Sequence, residues 1–356
     1  MSKKAKKYSR REVIVGTGGL VAGGALYAGL MKADRAQAAP GGPVALMGQA
    51  YLSPLAQTPA KLDITPISPD YFVPDRFKGK TLLVTGGARG IGQATAIRAA
   101  REGANVAILD WLPNEGQATV DQIVEEGGNA IFIEGNVQNA EDCNRMVEET
   151  VKEFGELNLA LNNAGVLDGV YSGDEFDFEA QRSLLPNMLH LATDEYFDAV
   201  LATNINGVFK SLRPELSQML TQGKGGAIVN VGSIAGLIGL SGNPAYSASK
   251  HAVTGITRGA AIDYAPYGIR INSVNMAATD TPMIARAGQF VQAAQKEGAG
   301  SGMGSVKTQS LLAYADSKKR PATPWEQGAI ILFLLSDDAS NLTGCTYATD
   351  GGWTAF

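Results

Sequence analysis

Tyr246 and Lys250 stand four residues apart in Tyr246-Ser-Ala-Ser-Lys250, a spacing that puts both on one face of a helix. A phenol with an ordinary pKa near ~10 is a poor base at neutral pH. An ammonium group beside it would lower that pKa by stabilising phenolate. Ser233 follows the Ile228-Val229-Asn230-Val231 run and precedes Tyr246 by 13 residues. A hydroxyl there is placed to face Tyr246 across the cleft at the carboxyl ends of parallel strands. Together the three types suit proton transfer to and from a substrate oxygen. A second group lies in Thr85-Gly86-Gly87-Ala88-Arg89-Gly90-Ile91-Gly92, with Gly86, Gly90 and Gly92 in a G-x-x-x-G-x-G spacing. Glycines there permit a tight turn and close backbone approach to a pyrophosphate at a helix N-terminus. Asp110 comes 18 residues after Gly92. A carboxylate at that position accepts from a ribose 2′-OH and repels a 2′-phosphate. Residues 111–115, beginning with Trp111, offer no Arg or Lys, so NAD is expected over NADP.

These groups need a frame. Short apolar runs at 81–85, 105–110, 130–134, 158–162, 227–231, 269–274 and 346–349 read as buried strands. Helical patterns at 93–102, 116–126, 140–154, 194–219, 246–264 and 326–335 separate them. Such alternation predicts an α/β fold, a Rossmann-like doubly wound parallel sheet of about seven strands in a single domain. The glycine loop then joins the first strand to the first helix, and Asp110 ends the second strand, the context a dinucleotide site requires.

With those motifs in order, residues 78–356 resemble the short-chain dehydrogenase/reductase family. Asn162-Asn163-Ala164-Gly165 matches its NNAG motif, Asn204 the helix asparagine of its catalytic tetrad, and Asp350-Gly351-Gly352 its C-terminal motif. The resemblance implies that Tyr246 is the acid/base, that Ser233 holds the substrate oxygen, that Lys250 binds the nicotinamide ribose and tunes Tyr246, and that Asn204 holds a water linking Lys250 to solvent. It implies cofactor contacts from Gly86, Arg89, Gly90, Ile91 and Gly92, from Asp110 and Trp111, and from Asn136 and Val137 beside the adenine. It also implies contacts from Asn163, Ala164 and Gly165 along the cofactor, from Tyr246 and Lys250, and from Thr279 and Thr281 at the nicotinamide amide. Two positions depart from the pattern: Asn136 replaces a frequent Asp, and Met276-Ala277 replaces the usual Pro-Gly. The family usually pairs its two long helices into oligomers, so a homotetramer is expected. The implied activity is interconversion of a small-molecule alcohol and its carbonyl compound. The alternatives are a non-catalytic NAD-binding sensor or subunit, and an epimerase or dehydratase that recycles bound NAD.

The N-terminus reads as a targeting segment. Six Lys or Arg precede a 19-residue run without charge from Val13 to Met31, followed by Ala36-Gln37-Ala38. Paired Arg10-Arg11 and an A-x-A site resemble a twin-arginine export signal over 1–38, which implies the twin-arginine machinery as a partner and a periplasmic or otherwise exported location. An uncleaved membrane anchor is the alternative. Residues 39–77 form a Pro-rich extended arm, either a linker or a segment lying across the domain. Residues 167–190 look like an insertion at the active-site mouth, and 283–319 like a substrate lid. Without residues 1–38 the chain holds 22 basic and 33 acidic residues, a net charge of −11, which argues against a nucleic-acid partner. Two Cys and two His leave no metal site and no disulfide framework to expect.

Overall fold

The computed structural model describes residues 62–296 and 320–355. The export signal expected over 1–38, the first part of the Pro-rich arm and the second part of the expected lid lie outside the described residues. The strands are β1 (Thr81–Thr85), β2 (Asn105–Asp110), β3 (Asn129–Glu134), β4 (Leu159–Asn162), β5 (Gly226–Val231), β6 (Ile269–Met276) and β7 (Thr346–Thr349). They form one seven-stranded sheet in the order β3-β2-β1-β4-β5-β6-β7, and every pairing is parallel. The helices are α1 (Gly90–Arg101), α2 (Pro113–Glu125), α3 (Ala140–Phe154), α4 (Asp194–Leu201), α5 (Val208–Gln222), α6 (Pro244–Tyr264), α7 (Pro282–Lys296) and α8 (Pro324–Leu335).

Alternation along each strand splits the core into two layers. Leu82, Val84, Val106 and Ile108 face Ala96 and Ile97 of α1, Val120 and Ile123 of α2, and Leu332 and Leu335 of α8. Leu83, Ala107 and Leu109 face Met146 and Val147 of α3, Leu212 and Leu216 of α5, and Val253 of α6. Strand order reverses between β1 and β4, so their carboxyl ends diverge into the crevice where such sheets bind ligands.

Several predicted bounds shift by up to three residues, and two differences go further or bear on the site. The single helix over 194–219 is interrupted by a π-helical turn, Ala202–Gly207, between α4 and α5. The widened turn holds Asn204 and shifts helical phase there, which hydrophobic spacing alone does not register. The strand expected at 269–274 runs on to Met276, because Asn275 and Met276 still pair with Ala348 and Thr349.

The end of the Pro-rich arm, left open between linker and docked segment, is docked. Glu102, fully buried at the end of α1, accepts from Nε of Arg98 (2.9 Å) and the amide of Val73 (3.1 Å). Its other oxygen lies 3.1 Å from Nε of Arg76. Arg101 donates to the Pro69 carbonyl at 2.8 Å, and the Arg98 guanidinium lies over the Tyr71 ring, 5.0 Å from its centroid.

Candidate active site

β1 ends at Thr85, and the chain turns through Gly86, whose φ of 68° is left-handed. A Cβ on Gly86 would lie 2.8 Å from Cα of Ala164, and one on Gly92 would lie 2.2 Å from the Gly86 carbonyl oxygen. Only hydrogen at these two positions lets the loop close against the turn after β4. Nδ2 of Asn163 donates to that carbonyl at 2.7 Å. Oγ1 of Thr85 accepts from the amides of Asn163 and Ala164 at 3.2 and 3.3 Å. The first turn of α1 therefore ends on the crevice with N–H groups that have no intrahelical partner.

Asp110 closes β2 with its carboxylate buried. Its oxygens accept from the amides of Ala88 (3.0 Å) and Leu112 (3.1 Å). Burial raises its pKa, against these backbone donors and the nearby charge of Arg89.

β5 delivers Ser233. Its amide donates to Oδ1 of Asn275 at 3.2 Å, and its Oγ accepts from the amide of Ala235 at 3.2 Å. α6 delivers Tyr246 and Lys250. Lys250 Nζ lies 5.6 Å from the centroid of the Tyr246 ring and donates to the Val231 carbonyl at 2.9 Å. The expected lowering of the Tyr246 pKa by Lys250 is not what the geometry produces. Burial raises the phenol, opposed by its hydrogen bond with Ser233. Burial also brings Lys250 down to about 8. The phenol thus remains a proton donor at neutral pH, and its hydroxyl is coupled to Ser233. Asn204 is fully buried in the π-helical turn. It accepts from the Val166 amide (2.8 Å) and donates to the Val166 carbonyl (2.9 Å) and to Ser249 Oγ (3.1 Å). A Cβ on Gly165 would meet Asn204 Oδ1 at 3.3 Å and Lys250 Nζ at 3.5 Å, so both groups border the same backbone.

A cavity of about 780 Å³ joins these parts. Every residue proposed from the sequence lines it except Gly92, which packs behind the loop, and Asn204, which lies beneath Val166 and Gly165. Asn136 and Val137, Thr279 and Thr281, and Met276 and Ala277 are all in its wall. Two glycines whose Cβ atoms would collide, helix-end donors and a strand-end carboxylate fit the pyrophosphate and ribose of a nicotinamide dinucleotide.

The comparisons with known proteins agree with this geometry. A family described as short chain dehydrogenase matches residues 80–292. The chain belongs to the short-chain dehydrogenases. It is 38% identical over 289 residues to a 3beta-hydroxysteroid dehydrogenase of Mediterraneibacter gnavus, covering 80% of this chain and 98% of the relative. It is 39% identical over 281 residues to a cyclohexanol dehydrogenase of an Acinetobacter strain, covering 79% and 97%. The crystal structure of levodione reductase superposes with a TM-score of 0.67 at 30% identity, over 78% of this chain and 99% of that one. As a short-chain dehydrogenase the protein is an NAD(P)-dependent oxidoreductase that interconverts an alcohol and a carbonyl compound.

In this dehydrogenase part of the 167–190 segment lines the cavity. Val170 and Leu185 are buried against Phe290 of α7, with Phe176 and Phe178 packed alongside. Tyr171 donates from its hydroxyl to the Trp111 carbonyl at 2.9 Å, Trp111 donates from its ring N–H to Ser172 Oγ at 3.1 Å, and the two rings meet edge to face. Three positioning residues escaped the sequence reading: Thr85, Asn275 and Ser249. Each is an ordinary polar residue at an element end or on a helix, and only the fold gives it a partner. His251 is exposed on α6 and contacts the Ser247 carbonyl. Cys143 is buried, its thiol pushed up to about 11 by desolvation, and both it and Cys345 are free.

Proposed function

We propose that the protein is an NAD-preferring dehydrogenase of an alicyclic secondary alcohol, with Tyr246 as acid/base. The carrying observation is the meeting of Tyr246, Ser233 and Lys250 in one cavity with the glycine loop and Asp110. The cofactor, when bound, supplies the hydride acceptor for oxidation or the donor for reduction. Gly86, Gly90 and Gly92 would admit its pyrophosphate, Asp110 would accept from the adenosine ribose, and Thr279 and Thr281 would border its amide. Tyr246 Oη takes the proton of the alcohol in oxidation and returns it to the carbonyl oxygen in reduction. Ser233 Oγ holds that oxygen, and its hydrogen bond with Tyr246 keeps both hydroxyls aligned on it. Lys250 orients the ribose, and Asn204, through Val166, holds the backbone beside it. The apolar wall of the cavity supports the substrate class, as do the names of the cyclohexanol and hydroxysteroid relatives.

Asp110 tests the cofactor preference. The wild type should bind NAD more tightly than NADP. In Asp110→Ala the gap should narrow, because repulsion of the 2′-phosphate disappears and Arg89 is left without its neighbouring carboxylate. Dissociation constants for both cofactors decide this, and a wild type that prefers NADP overturns it.

We also infer that the chain is exported through the twin-arginine route and works as a homotetramer. The paired arginines support the first. The outer surface of α6 supports the second: Ile262 is 76% exposed, and Gly255 and Gly259 have open space beside them. Fractionation of expressing cells should recover a shortened chain in the periplasm, with a tetramer mass by light scattering. Full-length protein confined to the cytosol refutes export, and a monomer refutes assembly.

A further inference from the structure

The mouth of the cavity holds an ion pair that the proton-transfer residues do not use. Arg286, on α7, places Nε 3.3 Å from Oδ2 of Asp168, which belongs to the insertion, and both side chains are largely buried. Nη1 reaches the Tyr171 carbonyl at 3.4 Å. Yet Nη2 is buried with no hydrogen-bond acceptor. Asp168 spends Oδ1 on the Val170 amide at 2.9 Å. A buried guanidinium nitrogen without an acceptor is costly unless something accepts from it.

Both Arg286 and Asp168 line the same cavity as Tyr246 and Ser233. The wall carries apolar residues, Leu167, Val170, Phe176, Leu240, Met283 and Ile284 among them, interspersed with polar ones such as Ser172 and Gln289. Among the polar groups of the cavity, the hydroxyl pair of Tyr246 and Ser233 and the guanidinium of Arg286 are two places able to hold a substrate oxygen. The charge at the second place is already balanced, because Asp168 offsets Arg286. A ligand carboxylate would therefore leave one negative charge in excess in a desolvated site. A neutral oxygen would satisfy the donors without that excess.

We propose that Arg286 is a specificity-determining residue that donates to a second, neutral oxygen on the substrate, a hydroxyl or carbonyl distinct from the one being oxidised or reduced. The substrate class is then an alicyclic diol, hydroxyketone or diketone rather than a simple cyclic alcohol. The inference rests on the alicyclic-alcohol reading above and narrows it.

The test compares trans-cyclohexane-1,4-diol with cyclohexanol, using full-length protein and NAD, in wild type, Arg286→Met and the double variant Asp168→Asn/Arg286→Met. The double variant leaves no carboxylate stranded by loss of its partner, so it guards against misfolding of the single one. Wild type should favour the diol in kcat/KM by about tenfold or more, the scale on which a site built to hydrogen-bond an oxygen rejects an analogue lacking it. Both variants should bring the ratio close to unity while the NAD dissociation constant stays unchanged. A wild-type ratio near unity, or a ratio that survives both substitutions, overturns the inference alone. Weakened NAD binding with an unchanged ratio also overturns it, by assigning the donors to the cofactor's phosphates. Oxidation of neither alcohol overturns both this inference and the alicyclic reading beneath it.

Discussion

Tyr246→Phe should lower turnover by about 10²-fold or more, the usual scale for a positioned acid–base group, while cofactor affinity stays near the wild-type value. The substitution removes one oxygen and keeps the ring that packs with Tyr196, Val200 and Ala245, so the fold has no reason to respond. Titration with NADH, read by its fluorescence, separates binding from turnover. A variant that turns over near the wild-type rate would remove Tyr246 from the mechanism. The same residue sets the direction of the pH dependence in the wild type. Burial holds the phenol above its ordinary pKa, which leaves it protonated and ready to donate to a carbonyl oxygen. Oxidation needs the deprotonated form. With rising pH, kcat/KM for oxidation should therefore climb, while that for reduction holds and falls only once pH passes the raised phenol pKa. Two flat profiles, or two that run together, would contradict this assignment.

Gly92→Ala should have the largest effect on cofactor binding. Its Cβ would arrive 2.2 Å from the Gly86 carbonyl oxygen and 2.7 Å from Asn163 Nδ2, the two atoms whose hydrogen bond closes the loop onto the turn after β4. Neither contact can be relieved by turning a flexible side chain, because one partner is backbone and the other is tied to it. The loop must move. Overpacking of this kind costs about 1–3 kcal/mol of stability, so a modest fall in Tm is expected with the domain still folded. Dinucleotide affinity should drop by about tenfold or more, since the amides that face the pyrophosphate move with the loop. Calorimetry on folded variant protein with unchanged affinity would show that the loop tolerates the shift and that close packing here is not what forms the site.

Much of this was legible beforehand because the relevant signals are local. Gly86, Gly90 and Gly92 occur within seven residues between a strand and a helix. Tyr246 and Lys250 share a helix face by spacing alone, and apolar runs such as Leu82–Val84 mark buried strands without help from the rest of the chain. What escaped depends on partners distant in sequence. Asn204 sits in a π-helical turn whose two bonds to Val166 span 38 residues, and helical periodicity cannot foresee an inserted phase shift. The sequence places residues 167–190 at the active-site mouth but does not show which partners hold them there. The segment packs against Phe290 and hydrogen-bonds to Trp111, which lie far along the chain on either side. Arg286 and Asp168, 118 positions apart in the sequence, carried no motif at all. The direction of the Tyr246 shift was missed for a related reason. Spacing showed that a lysine stands close to the phenol, but how far burial outweighs its charge is a property of the assembled core.

The anchoring of the arm at Glu102 moves the boundary of the folding unit. Family similarity begins at residue 80, which invites trimming the chain just ahead of β1. Such a cut would discard Arg76 and Val73, two of the three groups that face the buried Glu102 carboxylate, and leave Arg98 to hold it alone. Cleavage at 38, where the proposed export signal would end, would leave this anchor untouched. A processing enzyme reaching past residue 76 would instead strip a charge partner from the domain interior. The stretch ahead of β1 thus sets how far the N-terminus can be shortened without disturbing the enzyme behind it.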